Sequence, residues 1–201
     1  MVSDGWSLAM ISDLRRLVAA QGSIVVDRNG IEAPLDPDPL AVAKLALPLA
    51  QPAVEIPASF DQQRQIWQVR SPSPNLRITG RFGGEVRPNA LGFGFIVEVL
   101  ISFMSVAEHN GRLVLRDGYH RAHRLLSAGI VSAPAFIRSF ANDEPIFGRE
   151  MLPAQIWQGE HPPQLADYGD DRLAHDIWLP RQDTTLYISA QPHGLAVSHE
   201  L

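Results

Sequence analysis

Asn110-Gly111 lies between two short apolar runs, residues 104–108 and 112–116. Both residue types tolerate positive φ, so this pair is the strongest short-range signal for a tight β-hairpin. On the expected return strand, Leu113 and Leu115 alternate with Arg112, Val114 and Arg116. Asp117-Gly118 follows, and then a helical pattern over residues 119–128. Ala122, Leu125 and Leu126 form its apolar stripe, and Gly129 suits a C-terminal stop. Residues 133–140 read as a returning strand with Pro134 near its start. Hairpin, loop, helix and strand in immediate succession predict an α+β core.

The chemistry in this stretch sits at the helix start. A strand ending in a glycine turn presents free backbone N–H groups and the positive end of a helix dipole, an arrangement that favours an anion. Gly118 permits close backbone approach, and Arg121 and Arg124 can supply the bidentate hydrogen bonds that phosphate favours. His120 and Arg124, four residues apart, share a face away from the apolar stripe. Asp117 has two readings. As the helix N-cap it takes the same amides a phosphate would use. Otherwise its partner is a magnesium ion, a ribose or a substrate hydroxyl, since a carboxylate without a bridging cation repels phosphate.

The chain has 201 residues, no cysteine and a formal charge of −5. The missing cysteines exclude disulfides, thiolate metal sites and cysteine nucleophiles. The charge is unevenly spread. Residues 1–63 carry −4, residues 64–138 carry +6 and residues 142–183 carry −6. The candidate anion site lies in the positive segment. The apolar run 91–106 is broken by Gly92, Gly94 and Glu98, which argues against a membrane span, and residues 1–21 lack the pattern of a signal peptide. A soluble cytoplasmic protein is expected.

Elsewhere, residues 3–21 predict an amphipathic helix with Met10, Ile11, Leu14, Leu17 and Val18 on one face, Ser3 or Asp4 as cap and Gly22 as stop. A strand is expected at 23–27 with a turn at Asn29-Gly30, and a short helix at 40–47 between prolines. Strands are expected at 65–69, 76–79 and 185–190. Residues 93–106 predict one strand buried on both faces, or two strands in succession. A helical stretch is expected at 165–177. Residues 79–84 read as a flexible glycine-rich surface turn without P-loop spacing.

The order hairpin, Asp117-Gly118-Tyr119-His120-Arg121, helix, and a strand running Ser132-Ala133-Pro134-Ala135-Phe136-Ile137-Arg138 resembles the ParB/sulfiredoxin fold family. The resemblance spans residues 95–140. It implies a mixed sheet with flanking helices: an N-terminal extension (1–63), a core (64–140) and an acidic, proline-rich C-terminal extension (141–201) within the same domain. It also implies a box that binds the phosphates of ATP or another NTP. Sulfiredoxins place a cysteine where this chain has Tyr119, so sulfinic acid repair by that mechanism is excluded. Chromosome-partition members carry an upstream arginine box, matched here only faintly by Val86-Arg87-Pro88-Asn89, and a helix-turn-helix region to which residues after 140 bear no resemblance.

The box is more similar to that of ParB-like small-molecule kinases acting on free serine. That similarity implies a nucleotide, Mg²⁺ and a small-molecule substrate. Asp117 and His120 would be catalytic, Asp117 would hold the metal, and Gly118, Tyr119, His120, Arg121 and Arg124 would bind the nucleotide. Glu85 and Glu98 match the family's upstream catalytic glutamate by residue type only. The alternatives are a ParB-like nuclease or NTP-switched DNA-binding protein, and a non-catalytic interaction module.

Other groupings carry less. His109, His120 and His123 lack an identifiable further ligand, and His123 reads as a packing residue. Asp170, Asp171, His175 and Asp176 read as a solvated acidic helix. Trp6, Trp67, Trp157 and Trp178 are spread along the chain and read as packing residues.

Overall fold

The computed structural model describes residues 5–24, 37–49, 54–141, 151–177, 179–180 and 183–190. It is a mixed α+β structure of several sheets and few helices. In chain order the elements are β1 (Ser7–Ile11), β2 (Val18–Ala19), α1 (Pro39–Ala46), β3 (Ala58–Asp61), β4 (Ile66–Ser71), β5 (Leu76–Arg87), β6 (Ala90–Val99), β7 (Ser105–His109), β8 (Arg112–Asp117), α2 (Tyr119–Ser127), β9 (Ala133–Ser139), α3 (Ala154–Trp157) and β10 (Thr184–Ser189). The chain divides into two compact units. The first comprises Met1–Gln51 and Ile101–Trp178, the second Pro52–Leu100 and Leu179–Leu201. Residues 64–100 and 101–140, grouped as one core from the sequence, fall in different units.

The first unit is built on the five-stranded sheet β1-β9-β7-β8-β2. The expected hairpin is its centre. β7 and β8 pair antiparallel, and the turn places Asn110 at φ 49° and Gly111 at φ 73°. β9 returns parallel to β7 after α2, and β1 pairs antiparallel with the outer side of β9. Ile11, Leu14, Leu17, Met104, Val106, Leu115, Tyr119, Ala122 and Leu125 belong to one buried cluster, and Val18, Ala20, Ala107, Val114 and Trp157 to another. Among the described residues every buried side-chain polar atom has a hydrogen-bond partner. The sheet therefore buries both faces around β7 and β8, which is why Val114 and Leu115 are both inaccessible while Leu113 is 38% exposed.

The N-terminal helix expected over 3–21 is replaced by β1, a 3-10 turn at Leu14–Arg16 and β2. Ile11, Leu14, Leu17 and Val18 are still buried, but Met10 is 66% exposed. Asp13 caps the turn by accepting from the Arg15 amide at 3.1 Å, while the expected caps Ser3 and Asp4 lie outside the described residues. Cross-strand partners decided the outcome, since β1 pairs with β9 and β2 runs parallel to β8. Tertiary pairing overrode a helical spacing that a strand–turn–strand path satisfies equally well.

α1 matches the short helix expected between prolines, with Asp38 accepting from the Leu40 and Ala41 amides. The 165–177 helix is reduced to a 3-10 turn at Leu165–Gly169, and Asp170 pairs with Arg172 at 2.6 Å. The 23–27 strand and the Asn29-Gly30 turn fall largely, and Trp178 wholly, outside the described residues.

The second unit holds the three-stranded antiparallel sheet β10-β4-β3 and the two-stranded ribbon β5-β6. Residues 79–84 are part of β5, so the expected flexible turn is a strand. The apolar run 93–106 divides between β6 and β7, which is the two-strand alternative. Its first half is not buried: Phe93 is 65% and Phe95 40% exposed. Only Val69 and Leu76 are buried apolar residues among those described in this unit.

Candidate functional site

The β8–α2 junction brings the sequence box together. Asp117 is the last residue of β8, held in the sheet by its pairing with Ser105. Gly118 then turns the chain at φ 96° and is the helix N-cap. A Cβ at this position would lie 2.9 Å from the Met104 Cα and 2.7 Å from its Cγ. Glycine is thus required twice, by the left-handed conformation and by contact with the backbone entering β7. No side chain caps α2. Asp117 does not take that role, because the left-handed residue moves the helix start past it. Its carboxylate instead accepts from the Gly118 amide at 2.7 Å. The N-cap reading of Asp117 is corrected, and the first-turn amides of α2 keep their positive edge without a carboxylate cap.

Around this turn the charges are mixed and partly desolvated. Crowding by protein raises the Asp117 carboxyl above the usual range, opposed by the Gly118 amide and by the positive charges of Arg121, Arg116 and His120. The Arg121 guanidinium is held below its usual range by burial, opposed by Asp117. Its Nη1 donates to Ser102 Oγ at 2.8 Å. His120 is exposed, while Arg124 is partly buried. Titratable groups moved by burial and by one another at a β–α turn mark a candidate site. Arg116 and Ser102 belong to this neighbourhood and were not singled out in the sequence. Arg116 stands one residue before Asp117, but Ser102 reaches Arg121 only through the entry into β7, a contact with no local signal.

Tyr119 has a different place. It is 3% exposed, its hydroxyl donates to the Leu115 carbonyl at 2.6 Å and accepts from the Ala20 amide at 2.9 Å. Burial pushes its phenol up to about 12. Its ring meets Tyr168 edge-on with centroids 6.4 Å apart, and Tyr168 donates to the Gln21 carbonyl. Tyr119 is a core residue tying α2 to β2 and β8, so its expected contact with a nucleotide is replaced by a structural role.

The other groupings resolve locally. Both ring nitrogens of His109 are engaged, Nδ1 with the Phe140 carbonyl and Nε2 with Asn110, each at 2.9 Å. Among the described residues no cluster of three or more His, Asp or Glu side chains is arranged to hold a metal ion. Glu98 accepts from the Thr79 hydroxyl on the ribbon, and Glu85 stands on the same ribbon. Trp157 is buried, Trp67 is half exposed with its ring tilted against Phe60 at 5.0 Å between centroids, and Arg116 lies over the Trp6 ring at 5.5 Å. Two surface hollows have other linings, one of about 680 Å³ in the first unit beside Glu160, His161 and Asp167, the other of about 440 Å³ in the second unit along Phe82, Phe93 and Phe95. The junction is a stronger candidate than either hollow, because it combines uncapped helix amides, arginines and a carboxyl raised by burial. Among the described residues no helix is long and apolar enough to cross a membrane.

No known family model matches the sequence, and neither a curated protein nor a solved structure matches the chain.

Proposed function

We propose that the β8–α2 junction binds the phosphate groups of a nucleotide and that the protein transfers a phosphoryl group to a small molecule. One observation carries the reading: α2 begins at a left-handed glycine with no side-chain cap, and Arg121 stands beside the opening. Helix amides and a guanidinium are the donors that phosphate oxygens take. The ParB/sulfiredoxin-like architecture belongs to this proposal, supported by the order β7, β8, α2, β9 and by the box at the start of α2.

The residues fit the group. Mg²⁺ is commonly held by one or two carboxylates together with substrate phosphates, and Asp117 is the carboxylate here. When bound, the metal would neutralise charge on the transferring phosphate. Arg121 and Arg124 neutralise further charge, His120 reaches the phosphate from the exposed face, and the α2 amides fix its position. Nucleotide, metal and acceptor are thus parts of one reading.

A second reading has its own observation. Gly118 packed on Met104 and Tyr119 bridging β2 and β8 are what a box that merely closes the fold requires. Thermal shift with ATP, other nucleoside triphosphates and pyrophosphate, each with and without Mg²⁺, separates the two. A ligand at one hundred times its dissociation constant stabilises by about 2.7 kcal/mol. The phosphate reading predicts such a shift, and predicts that Arg121→Ala abolishes it while leaving the unliganded fold intact. No shift with any nucleotide, or an equal shift in Arg121→Ala, overturns it.

A further inference from the structure

The β5-β6 ribbon exposes large apolar side chains on both of its sides. Side chains that face each other across the ribbon alternate between its two sides. On one side β6 carries Leu91, Phe93, Phe95 and Val97 in a row, opposite Glu85, Gly83, Arg81 and Ile78. On the other side Phe82 lies over Gly94, where a Cβ would come within 2.4 Å of its ring. Phe82 is 62%, Val86 72%, Leu91 73% and Phe93 65% exposed. At ~150–250 Å² per aromatic side chain, Phe93 and Phe95 leave roughly 200 Å² accessible on the first side. Leu91 and Ile78 continue that row into the ~300–600 Å² range of the largest patch on an ordinary monomer, a patch that is often functional.

The two edges of the ribbon are built differently. β5 carries Arg77, Arg81, Glu85 and Arg87, and its register with β6 slips at Ile78/Gly80 and Glu85/Arg87, leaving Thr79 and Val86 as extra residues. Charges and bulges are what protect a strand edge from pairing. β6 has neither over Ala90 to Val97: eight consecutive residues without a charge or a proline, and no extra residue in its ladder. Three arginines against two glutamates on the ribbon give no field for a polyanion. The complement of an uncharged, unprotected, apolar strand is another of the same kind.

We infer that β6 is the interface between two copies of this chain. The two β6 strands pair edge to edge and antiparallel about a two-fold axis, extending each ribbon into a four-stranded sheet. The Leu91–Phe93–Phe95 rows of both copies then adjoin on one face. Such self-complementary contact is what a two-fold interface requires.

Sedimentation velocity of the full chain from about 1 to 100 µM tests this by mass action. The wild type is expected to pass from monomer to dimer and no further. Phe93→Lys/Phe95→Lys, which sets like charges opposite one another, is expected to raise the dimer dissociation constant at least about tenfold. Both side chains are exposed, so its far-UV circular dichroism should match the wild type. Val86→Lys, on the bulged β5 edge, is expected to leave the dimer intact. A wild type that stays monomeric throughout, or grows into open polymers, overturns the inference. So does a dimer that survives the double substitution, or one that Val86→Lys dissolves equally.

Discussion

The two units handle the same material in opposite ways. In the first, β7 and β8 sit mid-sheet with Val106, Ala107, Val114 and Leu115 wholly inaccessible, and α2, the 3-10 turns and α3 close over them. In the second, strands just as apolar leave Phe82, Leu91 and Phe93 more than half exposed, with Val69 and Leu76 alone buried among the described apolar residues. A two-stranded ribbon is at best marginally stable by itself, and independent stability needs further strands or a packed helix. Strand composition therefore does not make a core. Neighbours on both faces do, and one unit supplies them from within the chain.

The largest test of that contrast is truncation in each unit. Leu125→Ala, at a fully buried site in α2, is expected to cost about 2–5 kcal/mol in denaturant unfolding, whatever the protein concentration. Phe82→Ala removes a bigger side chain but should change the stability of the isolated chain at high dilution by no more than about 0.5 kcal/mol. Equal costs would break the contrast.

A middle-sized effect is expected at Tyr119. Tyr119→Phe strands the Ala20 amide inside the first unit and should cost about 1–3 kcal/mol. The phenol also sets an alkaline limit. Its folded pKa of about 12 lies above the unfolded value of 10.0, so the folded form holds its proton longer. Stability from this group is full below pH 10 and is lost as pH rises towards 12. Tyr119→Phe should flatten that part of a stability–pH profile, and an unchanged slope would remove Tyr119 as its source.

The smallest effect concerns Asp117. Its raised carboxyl pKa means that ionisation opposes folding, so its contribution falls as pH rises above the ordinary carboxylate value. Asp117→Asn is expected to raise the midpoint of thermal unfolding slightly at pH 7 and to change nothing at pH 3. A lower midpoint at pH 7 would show that the carboxylate is a structural acceptor after all.

What could be read in advance was local. The Asn110-Gly111 turn, the apolar stripe of α2 and the return of β9 each depend on residues close in sequence, and all three stand in the structure. The helical spacing over 3–21 does not decide the path of the described residues there, because that path depends on partners far along the chain, as Ser7 pairs with Ile137. The candidate site was legible as a set of residues but not as an arrangement. That Gly118 would take the cap position from Asp117 and that Ser102 would hold Arg121 depend on the segment entering β7, and that Tyr119 would turn inward depends on Ala20 and Leu115. The apolar run 93–106 read as one strand buried on both faces or as two strands in succession; it is two, and the single chain leaves the first of them open. A second copy pairs with it.

Amide hydrogen exchange at about 1 and 100 µM tests the contrast between the units most directly, because it reads both in one sample. The outward-facing amides of β6 are predicted to slow markedly at the higher concentration, while those of β7, β8 and α2 exchange at the same rate in both. Equal exchange in β6 at the two concentrations, or slowing shared by both units, would contradict the account.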